Sequence, residues 1–463
     1  MRIEEDMLGE KSIPDKYYYG IHTKRALENF PISHYKLSDF PELIQALIYI
    51  KKAAAYANFK IGLLSKRIHR AIENACDRII NDELWDQFPV DMVQGGGGTS
   101  TNMNANEVIA NIAGELLGGK KGAYKKVHPI QHVNLSQSTN DVYPSAIRVT
   151  LFSKTKELAY VLKNLAHILE SKEKEFSSII KLGRTCLQDA VPITLGQEFS
   201  GYKCLILRTT SDLEKELPHI RVLNIGGTAV GTGIGCKENF AKYALEYLNN
   251  ITKENFQVAD NLFDATQNCD VLLSVSGRLK NIALALSKIA NDLRLLSSGP
   301  ETGLSEIIIP PVQVGSSIMP GKINPVIPEV INQIAYKVCG NDLAVSMALE
   351  RGELELNIME PVMILCLLES IEMLKNGIKV FGERCIKYLK ANEKVCRKYA
   401  NSSITVYTML SEKFGYNQVN KLIKESKDKG IDIKDLILKK KILTRCELED
   451  CLKINLISKE KTL

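Results

Sequence analysis

Apolar side chains at 272, 275, 279, 282, 286, 289, 293 and 296 step by alternating threes and fours. Residues at that spacing share one face of a helix, so the stripe predicts one long helix packed at a shallow angle on its neighbours. The same stepping recurs at Leu367, Ile371, Leu374, Ile378, Phe381, Cys385 and Tyr388. A third segment, about 141–176, carries Leu151, Leu158, Leu165 and Leu169 among lysines and glutamates. Strand signals are sparse between them. The expected fold is mainly α, with a central bundle of long helices. Residues 1–140 mix short helices with loops and read as an N-terminal domain. Residues 141–390 form the bundle, and 391–463, rich in lysine, read as a small helical C-terminal domain. Such long helices carry more apolar face than one subunit covers, so closed association through the bundles is expected.

Composition narrows the function. The chain has 463 residues, of which 45% are hydrophobic and 25% charged, as in a globular protein with a real core. The net charge of +6 is small and scattered, which gives no case for nucleic acid. Eleven cysteines show no C-x-x-C pair and no zinc-like cluster, so reduced buried thiols are expected and neither metal nor cofactor is. The longest apolar run, 362–368, is seven residues, far short of the ~20 that span a bilayer. The N-terminal stretch is acidic, unlike a signal peptide. The expectation is a cytoplasmic protein with no membrane partner.

Four polar segments interrupt the helical pattern: 95–104, 137–141, 183–190 and 315–326. The last reads G-S-S-I-M-P-G-K-I-N-P-V. Its glycines and prolines mark a loop. It carries hydroxyls, an amide and one cation, Lys322. The glycine run at 95–98 lacks the G-K-[ST] ending of a P-loop, and 231–236 lacks a full dinucleotide fingerprint. Close approach of backbone amides to a carboxylate suits the 95–98 glycines better. Thr99, Ser138, Thr139, Asn140 and Thr185 taken singly read as helix caps. Together with Lys322 they suit a small dicarboxylate, because neutral donors stabilise charge without adding a competing proton source. No G-x-S-x-G and no Ser/His/Asp set is evident. None of the seven histidines falls in the four segments; His128 and His132 lie just upstream of the second, and each reads as structural before catalytic, with His132 the one to watch for a role in the chemistry.

These segments, in this order, resemble the fumarase/aspartase superfamily. The loop 315–326 matches its signature G-S-S-x-M-P-x-K-x-N at every defined position. Within the superfamily the chain is most similar to the aspartate ammonia-lyases. The strings that carry this are Y-Y-Y-G-I-H-T-K-R-A-L-E-N-F-P-I-S at 17–33, D-Q-F-P-V-D-M-V-Q-G-G-G-G-T-S at 86–100 and L-E-L-N-I-M-E-P-V at 354–362. The resemblance covers essentially the whole chain. It implies reversible elimination of ammonia from L-aspartate to give fumarate. It also implies a homotetramer whose active sites are composite. By match to the motif, Ser316 is the base that takes a Cβ proton. Thr99, Ser138, Thr139 and Ser317 hydrogen-bond the resulting enediolate. Lys322, Asn324 and Thr185 clamp the α-carboxylate, Asn140 contacts the amino group, and Lys322 also helps hold Ser316 as an alkoxide. Gly315 and Gly321 are the expected flexible points of a lid.

The sequence departs from the family at Cys186, where fumarases and some aspartases carry histidine. Hydroxide is a poor leaving group that benefits from an acid, whereas ammonium already carries its proton. Loss of that histidine therefore favours deamination over dehydration. The alternatives are a fumarate hydratase and a helical scaffold that has lost catalysis; intact Ser316, Ser317, Lys322 and Asn324 argue against the second. The segment 401–410 follows the family only loosely.

Overall fold

The computed structural model describes residues 1–402, 407 and 410–452. Part of the loosely matching segment 401–410 therefore lies outside the described residues. The chain starts with a hairpin of β1 (Arg2–Asp6) and β2 (Gly9–Ile13). Helices α1 (Ile21–Asn29), α2 (Pro41–Lys60), α3 (Lys66–Asn81) and α4 (Thr99–Leu116) follow. Next comes α5 (Thr139–Glu175), then a hairpin of β3 (Ile180–Thr185) and β4 (Gln188–Thr194), and α6 (Leu195–Glu214). The short α7 (Leu217–Ile220), α8 (Phe240–Thr252) and short α9 (Leu262–Gln267) lead to α10 (Asp270–Leu296), α11 (Val326–Glu350) and α12 (Glu360–Arg384). The C-terminal part holds α13 (Glu393–Ser402), α14 (Ser411–Phe414), α15 (Tyr416–Lys429), α16 (Ile433–Lys439) and α17 (Arg445–Leu452).

The hydrophobic stripes form the helices they predict. All eight stripe positions of α10, from Leu272 to Leu296, are buried. So are Leu151, Leu158, Leu165 and Leu169 of α5. Truncating one of these leucines to alanine would cost about 2–5 kcal/mol through lost transfer energy and the cavity left behind. The α12 stripe holds as far as Cys385, but Tyr388 is exposed, because α12 ends at Arg384 and a tight turn over 386–388 rotates the chain. Polar pairs lock neighbouring long helices in register. Ser276 Oγ and Lys280 Nζ both bond Asp342, from α10 to α11. Asn341 Nδ2 donates to the Cys366 carbonyl and to Ser370 Oγ, from α11 to α12. Lys375 pairs with Glu157, from α12 to α5.

The chain divides into two compact units. The first comprises Met1–Tyr160, Ser211–Ala283 and Tyr336–Lys375; the second comprises Val161–Thr210, Leu284–Ala335 and Asn376–Leu463. The first packs α2 against α3 and α8. Its helices are not all short: α2 has 20 residues and α4 has 18. In the second, the C-terminal helices close over a small core of Tyr407, Leu410, Val419, Leu422, Ile433 and Leu436.

Candidate active site

Only one of the four polar segments, 315–326, is loop up to its last residue, Val326, which opens α11. Residues 99–104 are the first turns of α4, and 139–141 are the first turn of α5. Segment 183–190 is a hairpin. Sequence reasoning sees glycines and hydroxyls at these places, and those residues mark helix starts as readily as they mark loops.

In the first unit, Thr99, Ser138, Thr139 and Asn140 sit at two helix N-termini, where unpaired N–H groups and the helix dipole favour an anion. Thr99 Oγ1 donates to the Gly96 carbonyl at 2.8 Å. Ser138 Oγ accepts from the Asn140 N–H at 3.2 Å, a capping bond. The two starts are joined directly, since Asn102 Nδ2 of α4 donates to Thr139 Oγ1 at 3.0 Å. Gly98, at φ +88°, leads into α4, and a Cβ there would come within 2.4 Å of a Tyr143 ring carbon. Glycine is thus required twice over, by conformation and by space.

The start of α5 carries a proline that helices normally reject. Pro144 has no N–H, so the carbonyl of Asn140, four residues before it, loses its intrahelical partner. Asn224 Nδ2 replaces that partner at 2.8 Å. The Asn140 side chain is fixed too, its Nδ2 donating to the Ala229 carbonyl at 2.8 Å. Asp141 is buried, accepting from the Ser138, Gly226 and Thr228 N–H groups. Burial pushes its carboxyl up to about 6 against the pull of those bonds and of the Lys51 charge.

Sequence reasoning did not find the residues behind this wall. Lys51 is fully enclosed, and its ammonium donates to Asn134 Oδ1 at 2.9 Å and Gln137 Oε1 at 3.0 Å. Burial pushes Lys51 down to about 7, with the Asp141 charge opposing. Asn58, seven residues along α2, donates to the Leu135 carbonyl and accepts from Ser136 Oγ. The one legible signal is that heptad spacing of two polar residues among the apolar Ile44, Leu47, Ile48, Ala54 and Ala55 of α2. Neighbouring Lys52 pairs with Asp77 instead, and nothing in the dipeptide tells the two lysines apart.

His128 and His132 are structural, as expected. His128 Nδ1 accepts from the Ile130 and Gln131 N–H groups, and His132 Nδ1 accepts from the His128 N–H. They frame a wide i→i+5 turn over 129–133, and burial lowers the pKa of both.

In the second unit lie Thr185, Ser316, Ser317, Lys322 and Asn324. Thr185 ends β3 opposite Gln188. The two residues between them, Cys186 (φ 53°) and Leu187 (φ 59°), are both left-handed, which is the turn that matches the twist of paired strands. The Cys186 thiol is exposed at this tip. The hairpin is anchored from below by Arg184, whose guanidinium grips buried Glu306 at 2.8 and 3.2 Å.

The loop 315–326 is exposed at its tip and tied at its neck. The Gly315 N–H donates to the Lys322 carbonyl at 2.9 Å, and Asn324 Nδ2 donates to the Gly315 carbonyl at 2.8 Å. Gly315 is therefore held on both sides in this conformation, whereas Gly321, at φ +81°, has open space around it. Ser316 Oγ accepts from the N–H groups of Ile318 at 3.1 Å and Met319 at 2.9 Å. Two backbone donors on one hydroxyl oxygen favour its anionic form. The Lys322 side chain is exposed and enters no ion pair among the described residues.

Among the described residues no group of three or more His, Cys, Asp or Glu has metal-binding geometry, and no helix is long and apolar enough to cross a membrane.

A lyase family model matches residues 9–340. Aspartate ammonia-lyase of Helicobacter pylori is 47% identical over 98% of this chain and 97% of its own length. Those of Escherichia coli and Bacillus subtilis are 44% and 46% identical over 97% of this chain and 94% of theirs. Among solved structures, a fumarate lyase:delta crystallin from Brucella melitensis superposes with a TM-score of 0.94 at 46% identity, covering 97% of this chain and 98% of that one. A class II fumarase from Schistosoma mansoni also gives 0.94, at 35% identity and 98% of each chain. The chain belongs to this lyase family, and its sequence sits among the aspartate ammonia-lyases at near-full length.

Proposed function

We propose that the protein is an aspartate ammonia-lyase that eliminates ammonia reversibly from L-aspartate through an enediolate, with Ser316 as the base. The observation that carries the assignment of the base is the pair of N–H groups on Ser316 Oγ, which lowers the cost of an alkoxide. The alkoxide takes the Cβ proton, and the C–H electrons pass into the adjacent carboxylate as an enediolate. They then return to form the C=C bond as the Cα–N bond breaks, and ammonia leaves neutral.

The doubly charged enediolate needs donors whose contribution grows as charge develops. Thr99, Ser138, Thr139 and Ser317 take that role. Helix N-termini supply three of these four, so the field there is built in before substrate arrives. Lys322, Asn324 and Thr185 clamp the α-carboxylate. With its Nδ2 committed to Ala229, Asn140 presents its carbonyl oxygen to the substrate ammonium. Closure of 315–326 brings Ser316 onto the substrate and expels water. Cys186 acts as a spacer, because ammonium needs no acid to leave.

The protein assembles as a homotetramer with composite sites. Exposed Tyr336, Leu343 and Met347 recur at heptad spacing on α11 and leave an apolar face that supports association through the bundle. The test of function is fumarate formation from L-aspartate and from L-malate. Activity on aspartate is expected, and activity on malate alone would overturn the assignment.

A further inference from the structure

We propose that Lys51 is a positioning residue that fixes, through Asn134 and Asn102, the direction in which Thr139 donates its hydroxyl hydrogen. This rests on the reading of Thr139 as an enediolate donor. The argument is one of polarity. A lysine side chain offers N–H donors, so the two groups it meets, Asn134 Oδ1 and Gln137 Oε1, must present oxygen. That sets which end of the Asn134 amide faces inward.

The same Oδ1 accepts from Asn102 Nδ2 at 3.2 Å and Asn106 Nδ2 at 3.1 Å. Asn134 Nδ2 meanwhile donates to the Gln137 carbonyl at 3.2 Å, so the amide is held at both ends. A flipped Asn102 would set carbonyl against carbonyl at Asn134, so its NH₂ end is fixed as well. Its second N–H goes to Thr139 Oγ1 at 3.0 Å. Because that oxygen accepts from Asn102, the Thr139 hydrogen points elsewhere and is available to a carboxylate. Each wrong orientation sets oxygen against oxygen at Asn134 or an N–H against the Lys51 ammonium, which holds the chain in one arrangement even though Asn102 Oδ1 and Asn106 Oδ1 are left without partners. Lys51 touches no substrate in this scheme. Its effect reaches the reaction only through the hydroxyl of Thr139.

The experiment is a double-mutant cycle on aspartate deamination by the full-length protein. Thr139→Ala should lower kcat about 10²-fold, the scale of one oxyanion donor. Lys51→Met should lower kcat about 10-fold with KM within about twofold, and should do no further harm when Thr139 is already alanine. The same loss from Lys51→Met in both backgrounds overturns the relay while leaving Thr139 as a donor. A Thr139→Ala enzyme with unchanged kcat removes Thr139 from the site, and the relay with it. Asn102→Asp is the second variant, for the case where Lys51→Met does not fold. It keeps the volume but turns the donor facing Thr139 into an acceptor. It should lower kcat in the native background and not in Thr139→Ala, and equal losses in both would again overturn the relay.

Discussion

The starts of α4 and α5 and the loop 315–326 carry the same kinds of residue, yet they are built in opposite ways. At the helix starts, Gly98 is wedged against Tyr143, Asn140 is bonded through side chain and carbonyl, and Thr139 is reached by a partly buried amide chain. The loop is fastened at its neck through Gly315 and Asn324, while Ser317, Lys322 and Gly321 face solvent. Donors that stabilise developing charge work best when already oriented, because reorienting them during reaction costs energy. A base that must reach a substrate and then release product has the opposite requirement. The contrast between fixed donors and an open loop fits that division of labour.

Four tests, using five substitutions, break or sharpen it. Ser316→Ala removes the proposed base and should lower kcat by at least ~10²–10⁴-fold with little change in stability, measured by fumarate absorbance and thermal melting. A variant that turns over normally would contradict the assignment. Lys322→Ala should mainly raise KM, with a smaller fall in kcat, as loss of an exposed charge clamp predicts. Unchanged kinetics would remove it from the clamp.

The third is a matched pair of glycines with nearly equal φ. Gly98→Ala forces a methyl against the Tyr143 ring and should destabilise by about 1–3 kcal/mol beyond the backbone strain. Gly321→Ala meets nothing and should cost only about 1–2 kcal/mol from its left-handed backbone. Equal losses in denaturant titrations would mean the two regions are not built differently. The smallest effect is expected at Cys186→Asn, which suits the left-handed turn and should leave kcat within about twofold. A large fall in kcat would give the thiol a role beyond spacing.

Much of the fold was legible because burial is periodic. The α10 stripe is buried at every position, and only Tyr388, past the end of α12, escapes the pattern. Hairpin 180–194 was missed because its buried face is short and its polar tip reads as loop. The residues proposed for the site rest on resemblance to the family motifs. The support behind them was not legible: Lys51 and Asn102 look like surface residues in a sequence, and only packing reveals them as enclosed beside the half-buried Asn134. Pro144 inside α5 likewise makes sense only once Asn224 is seen to satisfy the carbonyl it frees.

The enclosure of Lys51 has a chemical consequence. An amine reagent needs a reachable nitrogen, so acylating or reductively methylating labels should pass over Lys51 and modify exposed Lys322. Read out peptide by peptide in a mass spectrometer, Lys322 then serves as a native reporter. If 315–326 shuts over a dicarboxylate, its labelling slows when succinate is added, while Lys51 stays unmodified until the protein unfolds.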